Sequence, residues 1–416
     1  MCSMTTSTLP PTDLLAPGPT ADPYDIYANL RRDDPVHWNP FQKAWLITRY
    51  QDVCEAYLDP RLSSDRIRPM LGMVAGDRQD EMGRMLAIMA EWMVVTDGPA
   101  HHRLRKLANT AFRQQRVAAM GEWIGEIVDG LVDRFVASGS EDFYQDIAFP
   151  MPATVIATMM GAPAEDALRF QKWSDELALV AFGTGGAERA DRYRRALAGI
   201  TEMQSYLSDL IDKARSAPGS DMIGVLLTSQ DAEGDRLDDD ELIALCSLIL
   251  FAGHETTTNL LCNGVVSLLQ HPEQLEKLRA DRGLVPTAVE EMLRFDGPIK
   301  TIQRWVVEDH ERDGRQLKAG QRVFLMNSAA NRDGGTFDRP DDFDITRPTQ
   351  PLHVAFGRGV HSCLGAQLAR LETRTAIPII LDRLPGLRLA GPVSYRSTTA
   401  SRAVTSLLVQ HDAGVR

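Results

Sequence analysis

The stretch FGRGVHSCLG, residues 356–365, joins a glycine-rich loop to a single cysteine, and an amphipathic segment follows it directly. At such a position, free backbone N–H groups and the positive end of a helix dipole stabilise a thiolate, which is the form of cysteine that binds metal. Gly357, Gly359 and Gly365 allow further amides to approach the sulfur. Cys363 is therefore a candidate metal ligand.

Cysteine usage in the whole chain leaves two interpretations of Cys363 open. A lone cysteine among glycines is more often a small buried apolar side chain than a ligand. The other four cysteines are scattered and form no C-x-x-C pair, so neither a disulfide framework nor a zinc site is indicated. We expect a reducing, cytoplasmic environment.

Composition places the chain among ordinary globular proteins, with 416 residues, 44% hydrophobic and 25% charged. The net charge of −12 argues against nucleic acid or an anionic membrane as the main partner. No stretch approaches the roughly 18 to 20 apolar residues of a membrane helix. Residues 1–22 lack the features of a signal peptide and are expected to form a flexible tail, followed by one domain over 23–416. A soluble monomer is expected.

Helical periodicity dominates the chain, which predicts a mainly α-helical fold with small β-sheets. A β-hairpin is expected from strands at 36–38 and 44–48. The longest predicted helix, 239–269, is apolar on nearly every side over 245–252, so it should cross the centre of the molecule. Two helices, 164–180 and 189–214, flank the glycine run 183–186, and this arrangement is expected to form a hinged lid.

Within the long helix, the segment AGHETTT at 252–258 places a carboxylate and hydroxyls among apolar residues. Such groups are costly to bury without partners. A zinc protease motif is excluded because its second histidine position is Thr258. Threonine hydroxyls that bond to helix carbonyls would be a structural alternative.

Two charged patterns also stand out. Glu291 and Arg294 are spaced i, i+3 on one helix face and can pair, although such a pair at a surface contributes only a few tenths of a kcal/mol. Residues 101–106, with Arg113 and Arg116, form a basic stripe without acidic residues. A stripe of this kind is usually a solvated face, but in an acidic chain it also suggests an acidic partner.

Together, these segments resemble the cytochrome P450 family. The cysteine loop resembles that family's haem-binding loop, in which the cysteine is the proximal iron ligand. Residues 252–257 resemble its oxygen-activating motif A-G-x-[DE]-T-T, and Glu291 with Arg294 resembles its E-x-x-R pair. The resemblance implies a cytochrome P450 fold, with haem b (iron protoporphyrin IX) between the long central helix and the helix after the cysteine loop.

The resemblance also implies roles for individual residues. Glu255 and Thr256 would deliver protons, and Glu291 with Arg294 would form a buried structural pair. In many relatives an arginine at the position of Asp342 completes a triad with that pair; Arg339 or Arg347 is the candidate substitute here. The residues expected to bind the haem are Cys363 at the iron, His101, Arg105, Arg304 and His361 at the propionates, and Ala252, Phe356, Gly357 and Gly365 around the ring.

The implied activity is that of a haem-thiolate monooxygenase, which hydroxylates or epoxidises an apolar small molecule with O2. Candidate substrates are secondary metabolites, terpenoids, steroids and polyketides. Electrons would come from NAD(P)H through a ferredoxin reductase and a ferredoxin. Two alternatives stay open: a haem-thiolate peroxygenase, isomerase or nitric oxide reductase, and a haem gas sensor. The residues expected to face the ferredoxin are Arg103, Lys106, Arg113, Arg116 and Arg358.

Overall fold

The computed structural model describes residues 12–73, 81–181, 189–230 and 234–414. This part of the chain contains 17 α-helices and 11 short β-strands, which confirms the predicted fold class. No helix within these ranges has the length and apolar character needed to cross a membrane. The predicted hinge at 183–186 lies outside the described residues, so the lid stays a prediction.

The helices follow one another along most of the chain. They are α1 (Pro17–Ala21), α2 (Tyr24–Asp33), α3 (Tyr50–Leu58), α4 (Arg68–Met73), α5 (Glu81–Ala90), α6 (Gly98–Ala108), α7 (Gln114–Ala118), α8 (Gly121–Ser138), α9 (Pro150–Met160), α10 (Ala167–Ala181), α11 (Arg189–Ser216), α12 (Met222–Thr228), α13 (Asp239–Gln270), α14 (Pro272–Ala280), α15 (Val285–Asp296), α16 (Asn327–Ala330) and α17 (Ala366–Arg383).

The strands form one larger sheet and three two-stranded ones in the described chain. The larger sheet has the order β1-β2-β7-β4-β3, in which only β2 and β7 are parallel, and its β1–β2 hairpin confirms the prediction. The strands are β1 (Val36–Asn39), β2 (Ala44–Ile47), β3 (Leu62–Ser63), β4 (Ile302–Val306), β5 (His310–Arg312), β6 (Arg315–Leu317), β7 (Arg322–Leu325), β8 (Arg388–Leu389), β9 (Ser394–Tyr395), β10 (Val404–Ser406) and β11 (Val409–Gln410).

Helix α13 is the centre of the main core, as predicted from its apolar run. It begins with a capping box, in which the Asp238 carboxylate accepts from the Glu241 N–H and the Glu241 carboxylate accepts from the Asp238 N–H. Of its 32 residues, 22 are buried, and α9, α10, α11, α15 and α17 pack around it. The polar groups in the middle of this helix therefore lie inside the molecule.

The β9–β10 hairpin lies against the same helix near the end of the chain. The Asn259 side-chain oxygen accepts from the Val404 N–H at 2.9 Å, and the Asn263 amide donates to the Arg402 carbonyl at 3.1 Å. These bonds satisfy polar groups that α13 would otherwise bury unpaired. They also bring the C-terminal hairpin to the middle of the molecule.

The N-terminal segment is packed from residue 12 onward, which differs from the predicted tail boundary at 22. Leu14 is buried in an apolar cluster with Tyr27 and Leu30, and residues 17–21 form α1. The Ser397 hydroxyl donates to the Leu15 carbonyl at 2.6 Å. The segment lacks a long apolar run, so its packing against the rest of the chain left no sequence signal.

Candidate active site

The cysteine loop folds tightly in front of α17. The Cys363 N–H donates to the Phe356 carbonyl at 2.9 Å. Gly357 and Gly359 have φ angles of +67° and +71°, in the left-handed region that favours glycine, and a Cβ on Gly359 would lie 2.9 Å from Leu58. The loop therefore requires the glycines that the sequence supplies at both positions.

The Cys363 side chain is exposed on the surface of the loop. Desolvation by the surrounding protein raises the pKa of the Cys363 thiol, while the Gly365 N–H and the positive charges of Arg105 and Arg370 act in the opposite direction. The expected thiolate stabilisation is thus present but outweighed by desolvation. A bound metal cation would supply the charge needed to keep the sulfur ionised at neutral pH.

Two histidines predicted as cofactor ligands meet beside this loop. The His101 and His361 ring centroids are 3.9 Å apart, and His361 Nε2 lies 3.1 Å from the Asp97 carboxylate. His101 is buried, and its Nδ1 has no hydrogen-bond partner. Burial, with the nearby charges of His361 and Arg105, lowers the pKa of His101 to about 4. His101 is therefore a neutral side chain with one nitrogen unsatisfied, which is unusual for a buried polar group.

Arginines without carboxylate partners surround the same region. Arg105 on α6 makes no hydrogen bond or ion pair with the described residues, and its positive charge acts on Cys363. Arg304 on β4 is buried, donates to the Gln303 carbonyl at 3.1 Å and lies over the Tyr57 ring. Desolvation and the charge of Arg304 lower the pKa of Arg66 to about 10. Three arginines in this state favour an anionic ligand.

The polar segment of α13 has an accessible face in the middle of an otherwise buried helix. Ala252 is exposed, whereas Phe251 and His254 are buried. The Thr256 hydroxyl donates to the Ala252 carbonyl at 2.8 Å. The back-bonding alternative is thus realised for Thr256. Because a hydroxyl that donates one hydrogen bond keeps its acceptor lone pairs, Thr256 can still accept a hydrogen bond on its accessible side.

The neighbours of this segment account for two more of its residues. His254 Nε2 lies 3.0 Å from the Phe149 carbonyl, and the Thr258 hydroxyl donates to the His254 carbonyl at 3.1 Å. A Cβ on Gly253 would lie 2.7 Å from the end of the Ile156 side chain, so glycine permits the close packing of α9 on α13. His254 is therefore a packed helix residue, not a metal ligand.

Glu255 belongs to this segment, and only 12% of its side chain is exposed. Its nearest cation is Arg396, at 3.6 Å. Burial raises the pKa of Glu255 to about 7, with Arg396 lowering it and Asp175 raising it. A carboxyl group that titrates near neutrality is suited to give and regain protons.

Glu291 and Arg294 form a buried pair on α15, each side chain about 2% exposed. Two hydrogen bonds of 2.7 Å join them, and Arg347 donates to the Glu291 carboxylate at 3.1 and 3.2 Å. Arg347 is therefore the third member of this triad. Arg339 instead lies at the surface near three aspartates, and Asp342 contributes its main-chain carbonyl to Arg294 at 3.0 Å.

A second ionic cluster lies next to the triad and was not predicted. Glu290 accepts from Arg370 at 2.7 and 2.8 Å and from Arg374 at 3.1 Å, and His353 lies 3.2 Å away. Burial opposes ionisation, but these partners hold the pKa of Glu290 at about 2. The Arg370 guanidinium lies 4.5 Å from the centre of the Phe356 ring. The cluster therefore ties α15 and α17 to the cysteine loop.

The predicted ferredoxin-facing residues do not all stay available. Arg103 is bonded to Asp235, Glu241 and the Arg236 carbonyl, so its assignment to a partner is wrong in this structure. Arg358 donates to the Tyr50 hydroxyl at 2.7 Å. Both side chains are held by residues distant in the sequence, which the basic pattern alone did not reveal. In contrast, Arg113 and Arg116 are exposed beside α7, which packs on α17.

Comparison with known proteins identifies the family. The profile described as Cytochrome P450 matches residues 82–385. The chain belongs to the cytochrome P450 family. Among curated relatives of this P450, the vitamin D(3) 25-hydroxylase of Pseudonocardia autotrophica is 40% identical over 93% of each chain. The monooxygenase PikC of Streptomyces venezuelae is 38% identical and covers 92% of this chain and 90% of its own.

Solved structures agree with the fold. CalO2 has a TM-score of 0.89 and 31% identity, covering 98% of this P450 and 100% of that chain. P450BioI, solved with a hexadecenoic acid-ligated acyl carrier protein, has a TM-score of 0.86 and 34% identity, with 94% and 99% coverage. PikC is named a cytochrome P450 monooxygenase and the Pseudonocardia relative a hydroxylase, and this P450 is accordingly a monooxygenase.

The residues of the site fit the haem-thiolate group that the family implies. Cys363 offers one accessible sulfur for iron, and a Cβ added to Gly365 would meet no atom within 4 Å, which leaves room for a flat ring. The buried, unsatisfied His101 nitrogen and the unpaired Arg105 are suited to carboxylates such as propionates. Sequence reasoning missed Arg66 and Arg396, because no motif marks them and each reaches the site from a distant segment.

Proposed function

We propose that this P450 binds haem b through Cys363 and uses it to insert one oxygen atom from O2 into an apolar small molecule. When bound, the haem-thiolate group supplies the O2 chemistry. One observation carries the proposal. An accessible polar segment, residues 252–256, interrupts the buried helix α13, and α13 packs against α17, the helix that follows Cys363. His101, Arg105, Arg304 and His361 would hold the propionates.

The chain's own catalytic work would be proton delivery. Glu255 titrates near neutrality and precedes Thr256, whose hydroxyl is accessible. The carboxyl group would give a proton towards the Thr256 side and take another from solvent. The alternatives without this acid and alcohol pair, a peroxygenase or an isomerase, would have no use for a largely buried carboxyl group next to an accessible hydroxyl.

The proposed substrate is a bulky apolar metabolite of the polyketide or steroid type. The printed names of relatives support this class, including a vitamin D(3) hydroxylase and the polyketide biosynthesis P450 PksS of Bacillus subtilis, which is 33% identical. In this chain, Trp92 stacks on Phe251 at 5.5 Å, next to Ala252, and Met85, Met89 and Met93 belong to the same apolar cluster. Methionine-rich walls adapt to irregular apolar shapes.

We also propose that a separate ferredoxin and its reductase supply electrons in the cytoplasm. Arg113 and Arg116 are exposed and make no ion pair with the described residues. Arg113 precedes α7 and Arg116 lies on it, and α7 packs against α17, the helix after Cys363. A basic patch there would attract an acidic ferredoxin and raise its rate of encounter.

Reconstitution with NADPH, a ferredoxin reductase and a ferredoxin tests this function. Candidate ligands, such as vitamin D(3), testosterone and a hexadecenoyl acyl carrier protein, are first screened by the shift of the haem Soret band. Ligands that bind are then turned over under ¹⁸O2, and one labelled oxygen is expected in the product. Unlabelled product formed with hydrogen peroxide alone would favour a peroxygenase. Haem reduction without turnover of any bound ligand would favour a sensor.

A further inference from the structure

Three charged side chains from three distant segments meet next to the central helix. Arg396 follows β9, and its guanidinium lies 3.6 Å from the Glu255 carboxylate on α13 and 3.9 Å from the Asp175 carboxylate on α10. Bonds between α13 and the β9–β10 hairpin hold Arg396 near α13, as described above. One arginine is therefore shared between two carboxylates.

The contacts within this group are close enough for electrostatic attraction but too long for hydrogen bonds. Glu255 Oε1 and Arg396 Nη1 are both buried, and neither has a hydrogen-bond partner among the residues that the structure describes. Leaving charged groups in this state is costly, which identifies functional sites more often than structural ones.

Exposure decreases in one direction through the group. About 50% of the Asp175 side chain is exposed, 25% of that of Arg396 and 12% of that of Glu255. The three side chains thus connect solvent to the carboxyl group that faces the interior. Protons lost by Glu255 can be replaced from this side.

The proton relay is not assembled in this conformation. The Thr256 hydroxyl donates to the Ala252 carbonyl, and the nearest charged partner of Glu255 is Arg396. For delivery, Glu255 has to be protonated and released from Arg396. After delivery, the resulting carboxylate has to be stabilised until a solvent proton returns.

We propose that Arg396 is a positioning residue for proton delivery: it stabilises the Glu255 carboxylate after each transfer, and Asp175 competes with Glu255 for its guanidinium. The inference rests on the proposed relay role of Glu255. In each transfer Glu255 gives one proton to the interior, pairs with Arg396 as a carboxylate and takes one proton back from solvent; each turnover needs two such transfers, because the second oxygen atom of O2 leaves as water. Movement of α10, which carries Asp175, would shift the balance between the two pairs.

The charged and titratable groups around Glu255 allow the sign of each perturbation to be stated. Arg396 from the hairpin favours the ionised form, and Asp175 from α10 disfavours it. Tyr144 faces the group from the neighbouring π-helix, and burial raises its pKa, so it is neutral. Near Asp175, the charge of Glu176 raises the pKa of Asp175 and the charge of Arg195 lowers it, and these two side chains pair with each other at 2.8 Å. On α13 itself, His254 is neutral because burial lowers its pKa to about 4.

The test measures the protonation of Glu255 directly, by infrared titration of its carboxyl band in the substrate-free haem protein, with Glu255→Gln to assign the band. The wild-type midpoint is expected near pH 7. Arg396→Gln should move it upward by about 1 to 3 pH units, because an opposite charge is lost. Asp175→Asn should move it downward, because a like charge is lost. Arg396→Lys should restore most of the wild-type value.

Coupling of NADPH oxidation to product is the second readout. Coupling should fall as the pH rises through the Glu255 midpoint, since a protonated donor is needed. Arg396→Gln should displace this fall to higher pH, and Asp175→Asn should displace it to lower pH. Arg388→Gln, which removes an exposed pair with Asp412 in the same C-terminal region, is the control and should change neither readout.

The outcomes separate this inference from the proposed function. If Glu255→Gln leaves coupling unchanged, the relay itself is wrong. If Glu255→Gln uncouples the enzyme but the midpoint stays fixed in the Arg396 and Asp175 variants, only the inference fails. Should Arg396→Gln not fold, Asp175→Asn decides alone, and an unchanged or raised midpoint in that variant overturns the proposal.

Discussion

Replacement of Arg294 by alanine is expected to be among the most damaging single substitutions in this P450. The guanidinium makes two 2.7 Å bonds to Glu291 and donates to the carbonyls of Asn331 at 2.9 Å, Pro340 at 2.7 Å and Asp342 at 3.0 Å. The two bonds to Glu291 lie within α15, and the three carbonyl bonds join α15 to the meander over 331–347. The substitution removes them together.

The magnitude follows from what is left behind. Removing one partner of a buried pair strands the other charge, at a cost of about 3 to 5 kcal/mol. Arg347 retains its bonds to the Glu291 carboxylate and offsets part of that cost. The Asn331 and Pro340 carbonyls lose their charged donor, and each buried acceptor left unpaired adds about 1 kcal/mol or more, whereas the Asp342 carbonyl keeps a bond from Arg347 at 3.1 Å. We therefore expect a loss of about 3 to 5 kcal/mol in the free energy of unfolding.

Urea titration and the haem content of the purified protein measure this effect. The matched control is Arg339→Ala, since Arg339 is 65% exposed and its acidic neighbours are 3.3 to 3.8 Å away. It should cost less than about 1 kcal/mol and leave haem content unchanged. Equal stability and equal haem content in the two variants would refute the assignment of Glu291 and Arg294 as a structural pair.

Other predictions address proton delivery, electron donation and pH. Thr256→Ala should keep haem and substrate binding while NADPH oxidation shifts to hydrogen peroxide; unchanged coupling would contradict a relay role. Charge reversal of Arg113 and Arg116 should raise the KM for ferredoxin at low salt and weaken its salt dependence, with substrate affinity unchanged; identical reduction rates across a salt series would remove this docking surface. The pKa of Glu290 is lowered to about 2, so the ionised Glu290 stabilises the folded protein above about pH 4.3. This contribution to the free energy of unfolding should be lost as the pH falls towards 2. Glu290→Gln should abolish this contribution.

The sequence predicted the parts of this protein that depend on local pattern. The apolar run within 239–269 was sufficient to place the central helix, because a helix without a polar face has to be buried. The cysteine loop was recognisable from its pattern of glycines around one cysteine, and the structure shows that two of these glycines adopt φ angles that other residues rarely tolerate. Resemblance to the cytochrome P450 family then predicted the functions of both segments, haem binding for the loop and oxygen activation for the helix.

The remaining features depend on contacts between distant segments. Arg396 lies 141 positions after Glu255, and no pattern connects the two residues. Arg347, not Arg339, completes the triad because the meander turns its side chain inward to Glu291, and that direction is not encoded in a local repeat. Arg103 looked available in a basic stripe, but an acidic loop folds back onto it. Charge patterns in sequence therefore identify candidates, and tertiary packing decides their partners.

The central claim is that Cys363 is the thiolate ligand of the haem iron, and the reduced carbon monoxide complex of Cys363→Ser tests it most directly. Cys54→Ser is the matched control, because Cys54 is a half-buried cysteine remote in sequence from the loop. We predict that the control keeps the absorption maximum typical of thiolate ligation and that Cys363→Ser loses it. A Cys363→Ser variant that retains the thiolate-type maximum would contradict the account.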